Sequence, residues 1–111
     1  MSKTAFIVNP HAGNGSTGST WPFINALAKD RLGSFDVYMT RGPGDAVIFA
    51  KNAIAEKIKL LVCVGGDGTL NEVVNGIMMN EESVRSNVTL AFIPNGTGCD
   101  FIKTISIPQD I

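Results

Sequence analysis

The chain has 111 residues, 44% of them hydrophobic and 17% charged, with a formal net charge of −1. That length makes one domain, residues 1–111, with room for a real core. So balanced a charge gives no electrostatic footprint for nucleic acid or an anionic membrane, and apolar runs of about five residues fall far short of the roughly 20 needed to span a bilayer.

The charged fraction lies below the roughly 25% usual in soluble domains, which leads us to expect that part of the surface is normally covered. The N-terminus, Met1-Ser2-Lys3-Thr4, runs straight into a strand without a secretion signal, so a cytoplasmic chain is expected. Two cysteines do not make a disulfide framework. Cys63 reads as core packing, whereas Cys99 sits in a glycine-rich turn.

Residues 4–8 read as a first strand, followed by a polar, glycine-rich loop over 9–18. A helix is expected from Ser19 or Thr20 to Arg31 or Leu32, with Pro22 in its first turn and Trp21, Ile24 and Ala28 on its core face. Residues 35–40 alternate as a second strand. After the break at Gly42-Pro43-Gly44, Asp45 can cap a helix running to Lys57.

Residues 60–64, Leu-Leu-Val-Cys-Val, form a continuous apolar run that fits a strand buried on both faces. Gly65-Gly66-Asp67-Gly68-Thr69 then turns the chain tightly into a helix marked by Leu70, Val73, Val74, Ile77 and Met78. Met78 and Met79 read as packing, and Asn71 and Asn75 as residues off the apolar stripe. Residues 88–93 make a fourth strand, ended by Pro94, and Asp100 can cap a last short helix that stops before Pro108. Four strand–helix alternations predict an α/β fold: a three-layer, open, mostly parallel sheet with helices on both faces, Rossmann-like.

In such a sheet, ligands bind beyond the carboxyl ends of the strands. All four strand ends here carry loops rich in Gly, Asn, Thr and Asp. The third points to phosphate, because a helix N-terminus follows it. Asp67 would repel a bare phosphate, so it makes sense on a metal, a ribose or a positioned water. It could also simply cap its helix, although a cap needs no flanking glycines. Glu72 could act like Asp67 or serve only the helix dipole, and Arg41 could meet a phosphate or be an ordinary strand-end charge. His11 reads as an exposed loop residue.

Four motifs together resemble the catalytic domain shared by diacylglycerol kinases, sphingosine kinases and bacterial lipid kinases. They are Asn9-Pro10-His11-Ala12-Gly13 with Gly15; Thr40 with Gly44-Asp45-Ala46; Gly65-Gly66-Asp67-Gly68-Thr69-Leu70-Asn71-Glu72-Val73; and Pro94-Asn95-Gly96-Thr97-Gly98-Cys99-Asp100-Phe101. The resemblance spans essentially the whole chain. It implies the N-terminal, ATP-binding half of a kinase that transfers the γ-phosphoryl of ATP to a lipid hydroxyl, of diacylglycerol or a related long-chain alcohol. It further implies that Asn9, Pro10, His11, Ala12, Gly13, Thr40, the run from Gly65 through Leu70 to Asn71, and Thr97 surround the nucleotide, and that Mg²⁺ is met by Asp67 through water.

The same resemblance places the catalytic base and much of the lipid site in a second, β-rich domain absent from this chain, which would be inactive alone. Lipid access would require transient contact with the membrane surface, a peripheral position at the inner leaflet, and no nucleic acid. An apolar sheet edge would permit a homodimer. Cys99 stands where the family usually has Asn, and Lys103 where Arg is more usual. Three rival readings remain: an NAD kinase-like enzyme, a non-catalytic nucleotide-binding module, and a dinucleotide-binding unit built on Gly13, Gly15 and Gly18. The last wants its first glycine directly after the strand and an acid at the end of the second strand, and this chain has neither.

Overall fold

The computed structural model describes residues 3–94 and the backbone of residues 103–106. Its elements run β1 (Thr4–Val8), α1 (Ser16–Leu32), β2 (Asp36–Met39), α2 (Asp45–Ala55), β3 (Leu60–Gly65), α3 (Asp67–Met78), the single turn α4 (Glu82–Arg85), β4 (Thr89–Pro94) and β5 (Lys103–Ser106). They form one five-stranded sheet of order β2-β1-β3-β4-β5. Its first four strands are parallel, and β5 joins β4 antiparallel.

The central strands are apolar at every position because both faces are covered. Ala5 and Ile7 of β1, Leu61 and Cys63 of β3, and Leu90 and Phe92 of β4 point to one side, where they meet α2 and α3. Phe6 and Val8, Val62 and Val64, and Ala91 and Ile93 point to the other, under Trp21, Ile24 and Ala28 of α1. Register aligns Ile7, Cys63 and Phe92 in one row across the sheet, so each layer interlocks sideways as well as against its helices. Each fully buried aliphatic side chain there contributes about 1.5–3 kcal/mol. Among the described residues no helix is long and apolar enough to cross a membrane.

Three elements depart from expectation. Helix α1 begins at Ser16, a turn early, because Gly13, Asn14 and Gly15 all take positive φ and wind the loop directly into it. Pro22 therefore lies inside the helix, where it leaves the Gly18 carbonyl without its usual donor. The expected last helix is replaced by β5, whose alternating Lys-Thr-Ile-Ser sequence pairs with the exposed edge of β4; Asp100, its expected cap, lies outside the described residues. Helix α2 stops at Ala55, since Lys57 has φ 67 and ends the turn. Met78 and Met79 are exposed, because α3 runs past the sheet before it ends.

Helices α2 and α3 touch through a glycine. A Cβ on Gly76 would collide with the Val47 carbonyl oxygen and reach the Ala50 Cβ at 2.8 Å. Alanine is the better helix former by about 1 kcal/mol, yet here the clash is with backbone and outweighs that gain. Gly76→Ala is therefore expected to destabilise the chain by about 1–3 kcal/mol. An unchanged or raised urea midpoint would refute the close approach.

Cys63 is fully buried, and burial pushes its thiol up to about 12 from an ordinary 9.0. An unfolded chain ionises this group near 9 while the folded chain keeps it protonated. The unfolded state thus binds fewer protons, and stability falls as pH rises between those two values. The slope from this group is about 1.4 kcal/mol per pH unit. Denaturation at pH 8, 9.5 and 11 should show a steeper decline for the wild type than for Cys63→Ala; parallel declines would contradict the buried thiol.

Candidate functional site

Neighbouring strands β1 and β3 send their helices to opposite faces, α1 to one and α3 to the other. Their loops part at the carboxyl edge and open a cleft between them, the topological switch point where open α/β sheets bind ligands. The cleft measures about 530 Å³. Its walls come from the loop after β1 (Asn9, His11, Ala12, Gly13), the loop after β2 (Thr40 to Pro43), Ala46 of α2, and the start of α3 (Gly66, Gly68, Thr69, Glu72).

Asn9 spans the gap. Its Nδ2 donates to Thr69 Oγ1 at 3.0 Å, its Oδ1 accepts from the His11 N–H at 3.1 Å, and its own N–H donates to the Val64 carbonyl at 2.9 Å. One side chain therefore joins the first loop to the first turn of α3. Thr69 is buried and packs against Gly65, where any Cβ would come within 2.8 Å of its hydroxyl. Gly68, by contrast, has nothing within 4 Å of a would-be Cβ and borders open cleft.

The loop after β2 is held equally firmly. The Thr40 N–H donates to the Val8 carbonyl at 2.9 Å, and Thr40 is buried. Asp45 Oδ2 accepts from the Arg41 N–H at 2.8 Å and the Gly42 N–H at 3.2 Å. Asp45 thus caps its preceding loop and makes no cap bond to α2, whose N-cap is Gly44 at φ 91. The Gly44 N–H donates to Glu72 Oε1 at 3.1 Å, which ties α2 to α3 across the cleft floor.

Of the residues expected around a nucleotide, Asn9, His11, Ala12, Gly13, Thr40, Gly66, Gly68 and Thr69 line this cleft. Pro10 lies behind it, its carbonyl accepting from the Gly18 N–H at 2.9 Å. Gly65 is buried at the strand end, and Leu70 turns inward to pack on the α2–α3 core. Asn71 is exposed away from the cleft. Asp67 stands exposed as the first residue of α3, between the lining Gly66 and Gly68, without lining the cleft itself. Thr97 and Cys99 lie outside the described residues.

Arg41, Gly42, Pro43, Ala46 and Glu72 line the cleft beyond that set. The loop they belong to is visible in the sequence. The meeting of Gly44 with Glu72 across 28 positions is a product of α2–α3 packing, which no local motif announces. Among the described residues no three His, Cys, Asp or Glu side chains gather as a metal-binding cluster.

Comparison with known proteins agrees with the motifs. The family model "Diacylglycerol kinase catalytic domain" matches residues 3–111. A diacylglycerol kinase of Staphylococcus carnosus is 39% identical over 114 residues, an alignment that takes in 100% of this chain and 35% of that protein. A diacylglycerol kinase of Staphylococcus haemolyticus is 38% identical over 113 residues, with 100% and 33% covered. Among solved structures, a diacylglycerol kinase from Bacillus anthracis superposes with a TM-score of 0.71 at 33% identity, covering 86% of this chain and 34% of that one. The chain spans about a third of the length of these relatives. Motif order, sheet order and family model all coincide, and the chain belongs to the diacylglycerol kinase catalytic domain family.

Proposed function

We propose that this domain is the nucleotide cradle of an ATP-dependent lipid kinase. One observation carries the reading: the cleft at the strand switch point is bordered by a helix start whose backbone donors are free to meet phosphate. The first helical bond of α3 runs from the Leu70 N–H to the Gly66 carbonyl at 3.0 Å, so the N–H groups of residues 67–69 precede the hydrogen-bonded ladder. They suit an anion together with the positive end of the helix dipole. The open space at Gly68 lets a phosphate approach the backbone closely.

A single exposed carboxylate beside that start fits Mg²⁺ carried in on a nucleotide, because Mg²⁺ keeps several waters and takes few protein ligands. Asp67 would hold it through a water, and the ion would neutralise charge on the transferring phosphoryl group. Around it, the chain's own work is positioning: Asn9 fixes the first loop against Thr69, and Glu72 fixes the second against α3. The acceptor, diacylglycerol or a related lipid alcohol, and the base that activates it are assigned by this reading to sequence outside the domain. Relatives about three times as long have room for both.

Calorimetric titration with ATP tests the cradle. In Mg²⁺, Asp67→Ala is expected to weaken binding about tenfold; in EDTA the same substitution should leave affinity equal or improved, since a carboxylate near bare phosphate repels it. An equal loss in both would remove Asp67 from metal binding. Gly68→Ala should keep or raise thermal stability while weakening ATP, which separates loss of the site from loss of the fold.

The acceptor is tested with a protein that carries this domain along with its neighbouring sequence. Labelled ATP is offered with diacylglycerol in mixed micelles, sphingosine, or NAD. Transfer to diacylglycerol is expected; transfer to NAD alone would make the enzyme an NAD kinase and refute the lipid assignment.

A further inference from the structure

The cleft has two unlike ends. Near β3 it offers backbone donors at the start of α3. Near β2 it meets Pro43, Ala46 and Glu72, with the Asp45 carboxylate already folded onto the loop backbone. Two carboxylates at the β2 end make it a poor place for phosphate, even though α2 also begins there. The neutral, aromatic part of a nucleotide is what that end can accept.

Arg41 lines the cleft at this same end and is exposed. Its backbone is held by Asp45, but among the described residues no side chain pairs with its guanidinium. Among the residues lining the cleft it is the one permanently charged cation. A planar guanidinium on an anchored backbone, with apolar Pro43 and Ala46 nearby, is suited to lie against the face of an aromatic ring.

We propose that Arg41 covers the nucleobase and sets the affinity of the cleft for nucleotide over simple polyphosphate. The proposal rests on the nucleotide reading given above and adds a residue that makes its contact away from the phosphates. Such a stack tolerates either purine, so it strengthens binding without choosing between adenine and guanine.

Wild type, Arg41→Ala and Arg41→Lys are titrated with ATP, ADP and inorganic tripolyphosphate in Mg²⁺. Arg41→Ala should weaken ATP and ADP by the same factor, about fivefold to thirtyfold, and leave tripolyphosphate unchanged. Arg41→Lys keeps the charge but loses the plane, so it should behave like the alanine variant. A loss greater for ATP than ADP, shared by tripolyphosphate and restored by lysine, would make Arg41 a phosphate contact and overturn the proposal. An unchanged affinity in Arg41→Ala would overturn it too. Wild type that binds tripolyphosphate as tightly as ATP would exclude any base site, and wild type that binds none of the three would bring down the nucleotide reading itself.

Discussion

The site depends first on a constraint of topology: β1 and β3 are hydrogen-bonded neighbours whose helices must leave on opposite faces of the sheet. Each helix covers its own layer of the core, so neither loop can fill the space between them. The opening is thus enforced by the same burial that stabilises the domain. Asn9 then sets its width. Joined to Val64, His11 and Thr69, it holds the two diverging loops at a fixed spacing that neither loop could keep alone.

The floor of the cleft follows from a second contact of the same kind. Gly76 lets α2 and α3 approach until backbone meets backbone, and that approach brings Glu72 within reach of the Gly44 N–H. Gly44 takes a left-handed conformation at the N-cap of α2, so its N–H lies in the turn, outside the helix. Without Glu72 this donor would have no protein partner in a partly buried place, at a cost of about 1–3 kcal/mol. A helix-packing glycine therefore controls, at a distance, the geometry of a loop in the site.

Much of this was legible in the sequence wherever a residue's environment is decided locally. The runs Leu60 to Val64 and Thr89 to Ile93 are apolar at nearly every position because both faces of the sheet are covered, and their bounds emerged almost unchanged. Glycine turns after strands likewise marked the site's edge. Legibility ended where long-range contacts decide. Residues 103–106 carry no helical stripe, yet it took the free edge of β4 to make them a strand. The early start of α1 rests on three successive left-handed residues, of which only the glycines are signalled by type. Leu70 and Asn71 share a motif with Gly68, but the pitch of α3 turns one inward and the other to solvent.

The carboxylates of the site show how position within the fold sorts residues of one chemical type into different tasks. Asp45 and Glu72 both accept from backbone N–H groups and are consumed in holding loops. Asp67 begins α3 just as Asp45 begins α2, yet no backbone donor of the described residues meets its side chain, because Gly66 before it is extended and the chain enters α3 without a capping turn. A carboxylate at a helix start is stabilised by the dipole in either setting. Only the one left without a loop to hold keeps its oxygens available to water and cations. The extended conformation at Gly66 is therefore what separates a structural aspartate from one able to act on a ligand.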